Sequence, residues 1–276
     1  MTDKKTLFAG PFLGELGWEL FAWQGFIRSL AKEYDRVIVS SRRTSRFLYE
    51  DFYDEFEEYD PQSYVCSFFE CMTHQYHNQF HKKYPNADHV FFHKMKMAHK
   101  FFGDRKQEFI KYESDTDVDT VDFVLHARKI KGGGQYKVDR NWEKNKWNRL
   151  SENLTSKGFK LASIGTKDSS IVVDNSLDYL DKDLKEICAL LGKSKMIVGA
   201  SSGPMHFASL CGCPQLVWSS GRKGRGGDNR SRYEDKWNVF DTPVYMYEGG
   251  GWNPEVGKIE SRIDIFLERL ENESRI

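Results

Sequence analysis

Short apolar runs of strand length alternate with stretches of helical period along this chain, and that alternation limits its fold more than any other feature. Thr6 to Ala9 reads as a strand, followed by the glycine-punctuated turn Gly10-Pro11-Phe12-Leu13-Gly14-Glu15-Leu16-Gly17. From Trp18 to Tyr34 the residues Leu20, Phe21, Trp23, Phe26, Ile27, Leu30 and Ala31 keep helical spacing, and Arg36 to Ser40 returns to strand. This is a β-α-β unit, whose strands run parallel because the helix carries the chain back. A strand at His89 to Phe92 and a helix around Asp104 to Tyr112 come next, and the acidic run Glu113 to Thr120 reads as a linker. The pattern then restarts with strands at Val121 to His126, Lys160 to Ile164, Met196 to Gly199 and Gln215 to Trp218. Helices at Glu143 to Lys157, Asp181 to Leu191 and Pro204 to Leu210 lie between them. Val256, Ile259, Ile263, Phe266, Leu267 and Leu270 mark a terminal amphipathic helix. The expectation is an α/β chain of two Rossmann-like modules, residues 1–115 and 121–276, with a ligand crevice between them at the carboxyl ends of their strands.

Composition narrows the function. The 276 residues carry 41 Lys+Arg and 41 Asp+Glu, so the net charge gives no global attraction for nucleic acid or an anionic membrane. The five cysteines, Cys66, Cys71, Cys188, Cys211 and Cys213, are an odd number without framework spacing, which fits a reducing compartment. No apolar segment follows the lysines near the N-terminus, and the uncharged stretch 196–221 is interrupted by Pro204, Pro214, glycines and serines, which a bilayer would not accept. The expected location is cytoplasmic, with no transmembrane segment.

Three segments could carry chemistry. Gly199-Ala200-Ser201-Ser202-Gly203-Pro204-Met205-His206 follows a strand directly, with Ser202 or Gly203 as an N-cap and Pro204 suited to the first helical turn. Free amides and the helix dipole at such a junction favour a phosphate, although a plain strand-turn-helix junction would read the same way. His126-Ala127-Arg128, Lys129, Lys131, the glycines at 132–134 and Arg140-Asn141-Trp142 form a basic, glycine-rich loop at another strand end. It lacks the spacing of a Walker loop, and no GxGxxG follows either first strand, which weakens nucleotide hydrolase and dehydrogenase readings. Glu15 and Glu19 stand at the start of the first helix, where they either support the helix dipole or present a general base to the crevice.

Together these segments resemble the heptosyltransferase-like glycosyltransferases, glycosyltransferase family 9. The family's strand-Gly-Ser/Thr-Gly-Pro-Met-His-Leu-Ala-Ala motif is met by Ser201-Ser-Gly-Pro-Met-His-Phe-Ala-Ser-Leu-Cys-Gly-Cys-Pro214, its Gly-Asp turn by Gly14-Glu15, and its basic tryptophan loop by Arg140-Asn141-Trp142. The resemblance implies a GT-B architecture, two Rossmann-like domains facing each other across a cleft with the C-terminal helix closing the structure. It also implies metal-independent, inverting transfer from a nucleotide sugar. Ser201, Ser202, Gly203, His206 and Arg140 would then bind the donor diphosphate, with Arg128 a further candidate, and Glu15 would stand in for the catalytic aspartate. No metal or other cofactor is implied.

The neutral charge is unevenly spread. Arg42, Arg43 and Arg46 follow one N-terminal strand and Lys94, Lys96 and Lys100 another, while acids crowd into Glu50 to Asp60. Basic loops at strand ends favour an anionic acceptor, either lipopolysaccharide core or hydroxymethylated viral DNA, with Arg42, Arg43, Lys94 and Lys96 as its contacts. The alternative is a protein of the same fold that binds sugar nucleotides or serves as a scaffold without catalysis. Two Asp-x-Asp matches, Asp115-Thr116-Asp117 and Asp181-Lys182-Asp183, fall in the acidic linker and at a helix start, and Cys66, Cys71, His74, His77 and His81 match no zinc spacing.

Overall fold

The computed structural model describes residues 4–59, 75–92, 107–129, 140–221 and 230–273, and the chain divides into two compact units, Met1–Ile110 and Lys111–Ile276. In the first, β1 (Thr6–Ala9), β2 (Arg36–Ser41), β3 (Glu55–Glu58) and β4 (Asp88–Val90) form a sheet in the order β3-β2-β1-β4, every neighbouring pair parallel. The connection from β1 to β2 combines three helical segments, an α-helical turn at Leu16–Trp18, a π segment at Glu19–Trp23 and an α-helix at Gln24–Ala31. Leu20, Trp23 and Ile27 are completely buried, so the apolar face legible in the sequence is the one removed from water.

Arg28 ties this helix to its surroundings. It is 5% exposed, and all five of its N–H groups donate: Nε and Nη2 to Asp51, Nη2 also to Leu48 O, and Nη1 to Gln24 Oε1 and Glu108 O. A guanidinium can be buried at this cost only because every donor is matched. The same contacts explain why residues 107–112 are not the end of the helix expected from Asp104: Glu108 N donates to Gly25 O at 2.9 Å and Gln107 Nε2 to Phe21 O at 3.0 Å, and these tertiary bonds hold the chain in a non-helical course.

The second unit has six strands, β5 (Phe123–His126), β6 (Leu161–Gly165), β7 (Leu177–Leu180), β8 (Met196–Ala200), β9 (Gln215–Trp218) and β10 (Val244–Tyr247), in the order β10-β9-β8-β5-β6-β7 and parallel throughout. Numbered from the first strand of the unit, that is the doubly wound 3-2-1-4-5-6 order, with its reversal between β5 and β8. The helix Lys144–Ser156 buries Trp147, Leu150 and Leu154, and the terminal helix Val256–Glu273 buries Val256, Ile259, Ile263 and Phe266 in the same core as Phe123, Leu125, Met196, Val198, Leu216 and Trp218. Part of the acidic run expected as a linker is laid along this unit: Tyr179 OH donates to Asp119 Oδ2 at 2.7 Å, and Lys193 Nζ to Val118 O at 3.2 Å. Asp183 caps the helix Leu184–Gly192 by accepting from Glu186 N at 2.9 Å, and Asp181 accepts from Lys167 N at 3.0 Å. No helix among the described residues is long and apolar enough to cross a membrane.

The terminal helix is therefore part of the second core. Phe266→Ala should cost about 3–5 kcal/mol of unfolding free energy by loss of buried contacts and the cavity left behind. Ile265→Ala, whose side chain is 44% exposed, should stay within about 0.5 kcal/mol of the parent in the same urea titration.

Candidate active site

The reversal of strand order in the second unit places the loops after β5 and β8 side by side. Gly199 makes the close approach possible: a Cβ there would stand 3.0 Å from Met205 Sδ and 3.3 Å from His126 Cβ and O. Beyond β8 the chain enters the helix Gly203–Cys211 through Ser202, whose backbone is extended (φ −169°, ψ 171°) and whose side chain makes no cap bond. The first intrahelical bond runs from His206 N to Ser202 O at 3.1 Å, so the Gly203 and Met205 amides precede it, and Pro204 has no amide hydrogen to satisfy. Ser201 is completely buried, and its hydroxyl makes no hydrogen bond within the described protein.

Ser202 Oγ is committed instead to His126 Nδ1, 2.9 Å away at the end of β5, while His126 Nε2 lies 3.4 Å from Ser170 Oγ. His126, which the sequence motifs do not mark as a donor contact, thus joins three loops. Burial first, and the positive charges of Arg128 and Arg140 second, lower its pKa to about 3. The imidazole is therefore neutral, with one ring nitrogen donating and the other accepting. Arg140 brings its Nη1 to Ser201 O at 3.0 Å, with its guanidinium 5.5 Å over the Trp252 ring, and Arg128 extends from a bridge with Ser170. Thus Arg128, Arg140, Ser201, Ser202 and Gly203 share one strand-end site. His206 starts in the same turn but is buried against Trp237 (4.3 Å between centroids) and Tyr233 (5.4 Å).

In the first unit the turn after β1 is constrained before it reaches Glu15. Gly10 has φ +129°, and a Cβ there would meet Ser40 O at 2.3 Å; Phe12 N donates to that same oxygen at 3.0 Å. Glu15 is exposed at the N-cap of the first turn, and its carboxylate makes no cap bond. Glu19, the other acid at this helix start, is completely buried and accepts from Ser41 Oγ (2.5 Å), Ser45 Oγ (2.8 Å) and Tyr49 OH (2.8 Å). A glutamate within the otherwise aromatic and aliphatic run Trp18 to Trp23 was the signal for this network. Arg42, expected among the acceptor contacts, is 8% exposed with its guanidinium turned inward, whereas Arg43 is exposed. Lys94, Lys96, Lys131, the glycines at 132–134, Cys66, Cys71 and His74 lie outside the described residues. His81 stacks on His89 with 3.9 Å between centroids.

No family model matches the sequence, and no curated protein matches it. Among solved structures the chain is similar to the ADP-heptose LPS heptosyltransferase II of E. coli, with 13% identity and a TM-score of 0.57 over 97% of this chain and 99% of that one. It is similar as well to a glycosyl transferase family 9 protein of Veillonella parvula, with 12% identity and a TM-score of 0.56 over 96% and 98%. A Listeria monocytogenes protein assigned as a UDP-N-acetylglucosamine 2-epimerase shares 10% identity and a TM-score of 0.52 over 98% and 89%. The likeness is one of fold: two Rossmann-like units, each with a parallel sheet, and a C-terminal helix, the GT-B class that the family resemblance implied.

The buried neutral histidine has a measurable consequence. Its folded pKa lies below its unfolded value, so the folded state binds fewer protons than the unfolded state between about pH 3 and 6.5, and acid favours unfolding there. His126 therefore lowers stability by about 1.4 kcal/mol for each pH unit below 6.5. In urea denaturation the stability difference between the parent and His126→Asn should shrink by about 2 kcal/mol from pH 7 to pH 5; a constant difference would contradict burial of a neutral ring.

Proposed function

We propose that the chain is a nucleotide-sugar-dependent glycosyltransferase that acts with inversion and without a metal. The observation that carries this reading is the site where the strand order reverses. There a helix N-terminus, the buried Ser201 hydroxyl and two arginines meet beyond β5 and β8, in a fold shared with glycosyltransferases. Amides and guanidinium groups of this kind stabilise the charge that builds on a departing nucleoside diphosphate, which is the work a divalent ion does elsewhere. Arg140 and Arg128 would take the diphosphate from one side, and the Gly203 and Met205 amides with Ser201 from the other. Ser202 is bound to His126, and would shape the site through that bond as well as by direct contact.

Glu15 is the proposed base. An acceptor hydroxyl attacks the anomeric carbon, and its proton passes to the Glu15 carboxylate as the new C–O bond forms. The bond from the anomeric carbon to the phosphate oxygen breaks, and the nucleoside diphosphate leaves with the electron pair. A single displacement of this kind inverts the anomeric configuration. The exposure of Glu15, and the absence of a cap bond to its side chain, support this role over a purely helix-capping one. The acceptor is proposed to be anionic, lipopolysaccharide core or hydroxymethylated DNA, met by Arg43 together with Lys94 and Lys96.

A second reading draws on the epimerase-like structure of the same fold: sugar nucleotide is bound but not transferred to any acceptor. A panel of nucleotide sugars, screened by thermal stabilisation, identifies the donor first, since a ligand selective for the folded state raises its apparent stability. Radiolabelled donor is then offered to hydroxymethylcytosine-containing duplex DNA and to deacylated lipopolysaccharide. We expect transfer to one of them, insensitive to EDTA, and a rate reduced about 10²- to 10⁴-fold in Glu15→Gln with donor stabilisation retained. Donor binding without transfer to either acceptor would favour the second reading, and full turnover by Glu15→Gln would remove Glu15 from the mechanism.

A further inference from the structure

Arg42 follows β2 in a basic run with Arg43 and Arg46, where a solvated surface cation would be expected. Instead its Nη2 donates to Gly14 O at 2.8 Å, and its Nη1 stands 3.9 Å from Glu19 Oε2. Glu19 is in turn fixed by the hydroxyls of Ser41, Ser45 and Tyr49. Each offsets the other's buried charge; the Glu19 carboxylate is hydrogen-bonded by three hydroxyls, while Arg42 spends Nη2 on Gly14 O and its buried Nε has no partner among the described residues.

The atom that Arg42 holds gives the arrangement its meaning. The Gly14 carbonyl belongs to the peptide plane that joins Gly14 to Glu15, so fixing that oxygen fixes the plane on the N-terminal side of the Glu15 Cα. On the other side, the Glu15 carbonyl accepts from Trp18 N at 3.0 Å and Glu19 N at 3.2 Å. Both peptide planes flanking Glu15 are therefore held, and with them its two backbone dihedrals (φ −69°, ψ 148°) and the direction in which its side chain leaves. Gly14 cannot easily shift to compensate, because the Phe12 ring lies against it: a Cβ at Gly14 would meet Phe12 Cζ at 2.7 Å. The Gln24–Ala31 helix, by contrast, is anchored independently through Arg28.

We propose that Arg42, with Glu19 as its buried counter-ion, is the positioning residue for Glu15: it directs the carboxylate toward the acceptor hydroxyl without touching the substrate. This inference rests on the reading of Glu15 as the base. It gives Arg42 a role other than acceptor binding, and it makes Glu19 the support of the base rather than a second base.

The test separates the two claims. A nitroxide spin label on Glu15→Cys, introduced with Cys66→Ser and Cys71→Ser so that the remaining native thiols are the buried ones, reports backbone order at position 15 without any activity. Its spectrum should broaden less, indicating faster motion, when Arg42→Ala or Glu19→Gln is added, and should not change with Arg36→Ala, at the opposite end of β2. In the transfer assay Arg42→Ala should lower kcat about 10²-fold, the cost of a small misplacement of a reacting group, with donor KM within about twofold of the parent. Guanidinium ion at low millimolar concentration should recover about tenfold of that loss, because it can refill the clamp. In a Glu15→Gln background Arg42→Ala should slow the reaction no further, since a residue acting through Glu15 has nothing left to position. If Arg42→Ala does not fold, as judged by circular dichroism, Arg42→Lys serves: it keeps the charge but not the two-pronged contact, and should give an intermediate kcat. Losses that add in the double variant, an unchanged label spectrum, or parental kcat in Arg42→Lys would each overturn the positioning role. Full activity of Glu15→Gln, or no transfer by the parent, would overturn the base assignment on which it depends, whatever the label shows.

Discussion

The candidate donor site exists because β5 pairs with β8. Phe123 to His126 lie beside Met196 to Gly199, so the first strand of the second unit is bordered by its fourth, and the chain between them has to be wound to the other side. Loops leaving two strands that diverge in this way open a space at their carboxyl ends, which is where ligands collect in open α/β sheets. The close packing below that space is what keeps it in order. Gly199 lets β8 pass His126, and His126 holds the Ser202 hydroxyl at the turn into the helix. A cationic histidine here would repel Arg128 and Arg140, whereas a neutral one leaves the positive potential to the arginines.

The first unit solves a different problem with similar means. Its polar groups are buried in pairs and networks that tie separate chain segments together: Arg28 joins the first helix to Leu48, Asp51 and Glu108, and Glu19 gathers Ser41, Ser45 and Tyr49. Such networks contribute little if half made and rigidify strongly when complete. The π segment Glu19–Trp23 falls where one of them meets the turn after β1, as wide helical turns often do beside functional groups.

The sequence was most informative where burial follows period. Strands such as Gln215–Trp218 and the buried positions Val256, Ile259, Ile263 and Phe266 were legible because apolar spacing alone determines which residues leave water. Two of the edge strands were not. Leu177–Leu180 and Glu55–Glu58 carry acidic residues at positions a central strand would fill with aliphatics, so their pattern resembles loop until a neighbouring strand is in place. Within the site, the Ser201 to His206 turn was readable as local chemistry. The burial of Arg42 and Glu19 was not, because it comes from contacts between residues 14, 19 and 42, whereas residue type and position suggested an acceptor-contacting arginine and an acid that either supports the helix dipole or acts as a base.

The strand Glu55–Glu58 also bears on the neutral sum of charges. It lies at the edge of its sheet among the described residues, and an open edge is a ready template for a strand from another molecule. Arg36 and Lys83 pair with Glu55 and Glu57, but Glu58 is exposed, so a second copy approaching edge to edge would have to bring like charges together. A chain with a pI near 7.1 has little net repulsion to keep its molecules apart. On this edge self-association is then opposed locally by the exposed Glu58 carboxylate, one of the acids that cancel the basic residues in the total.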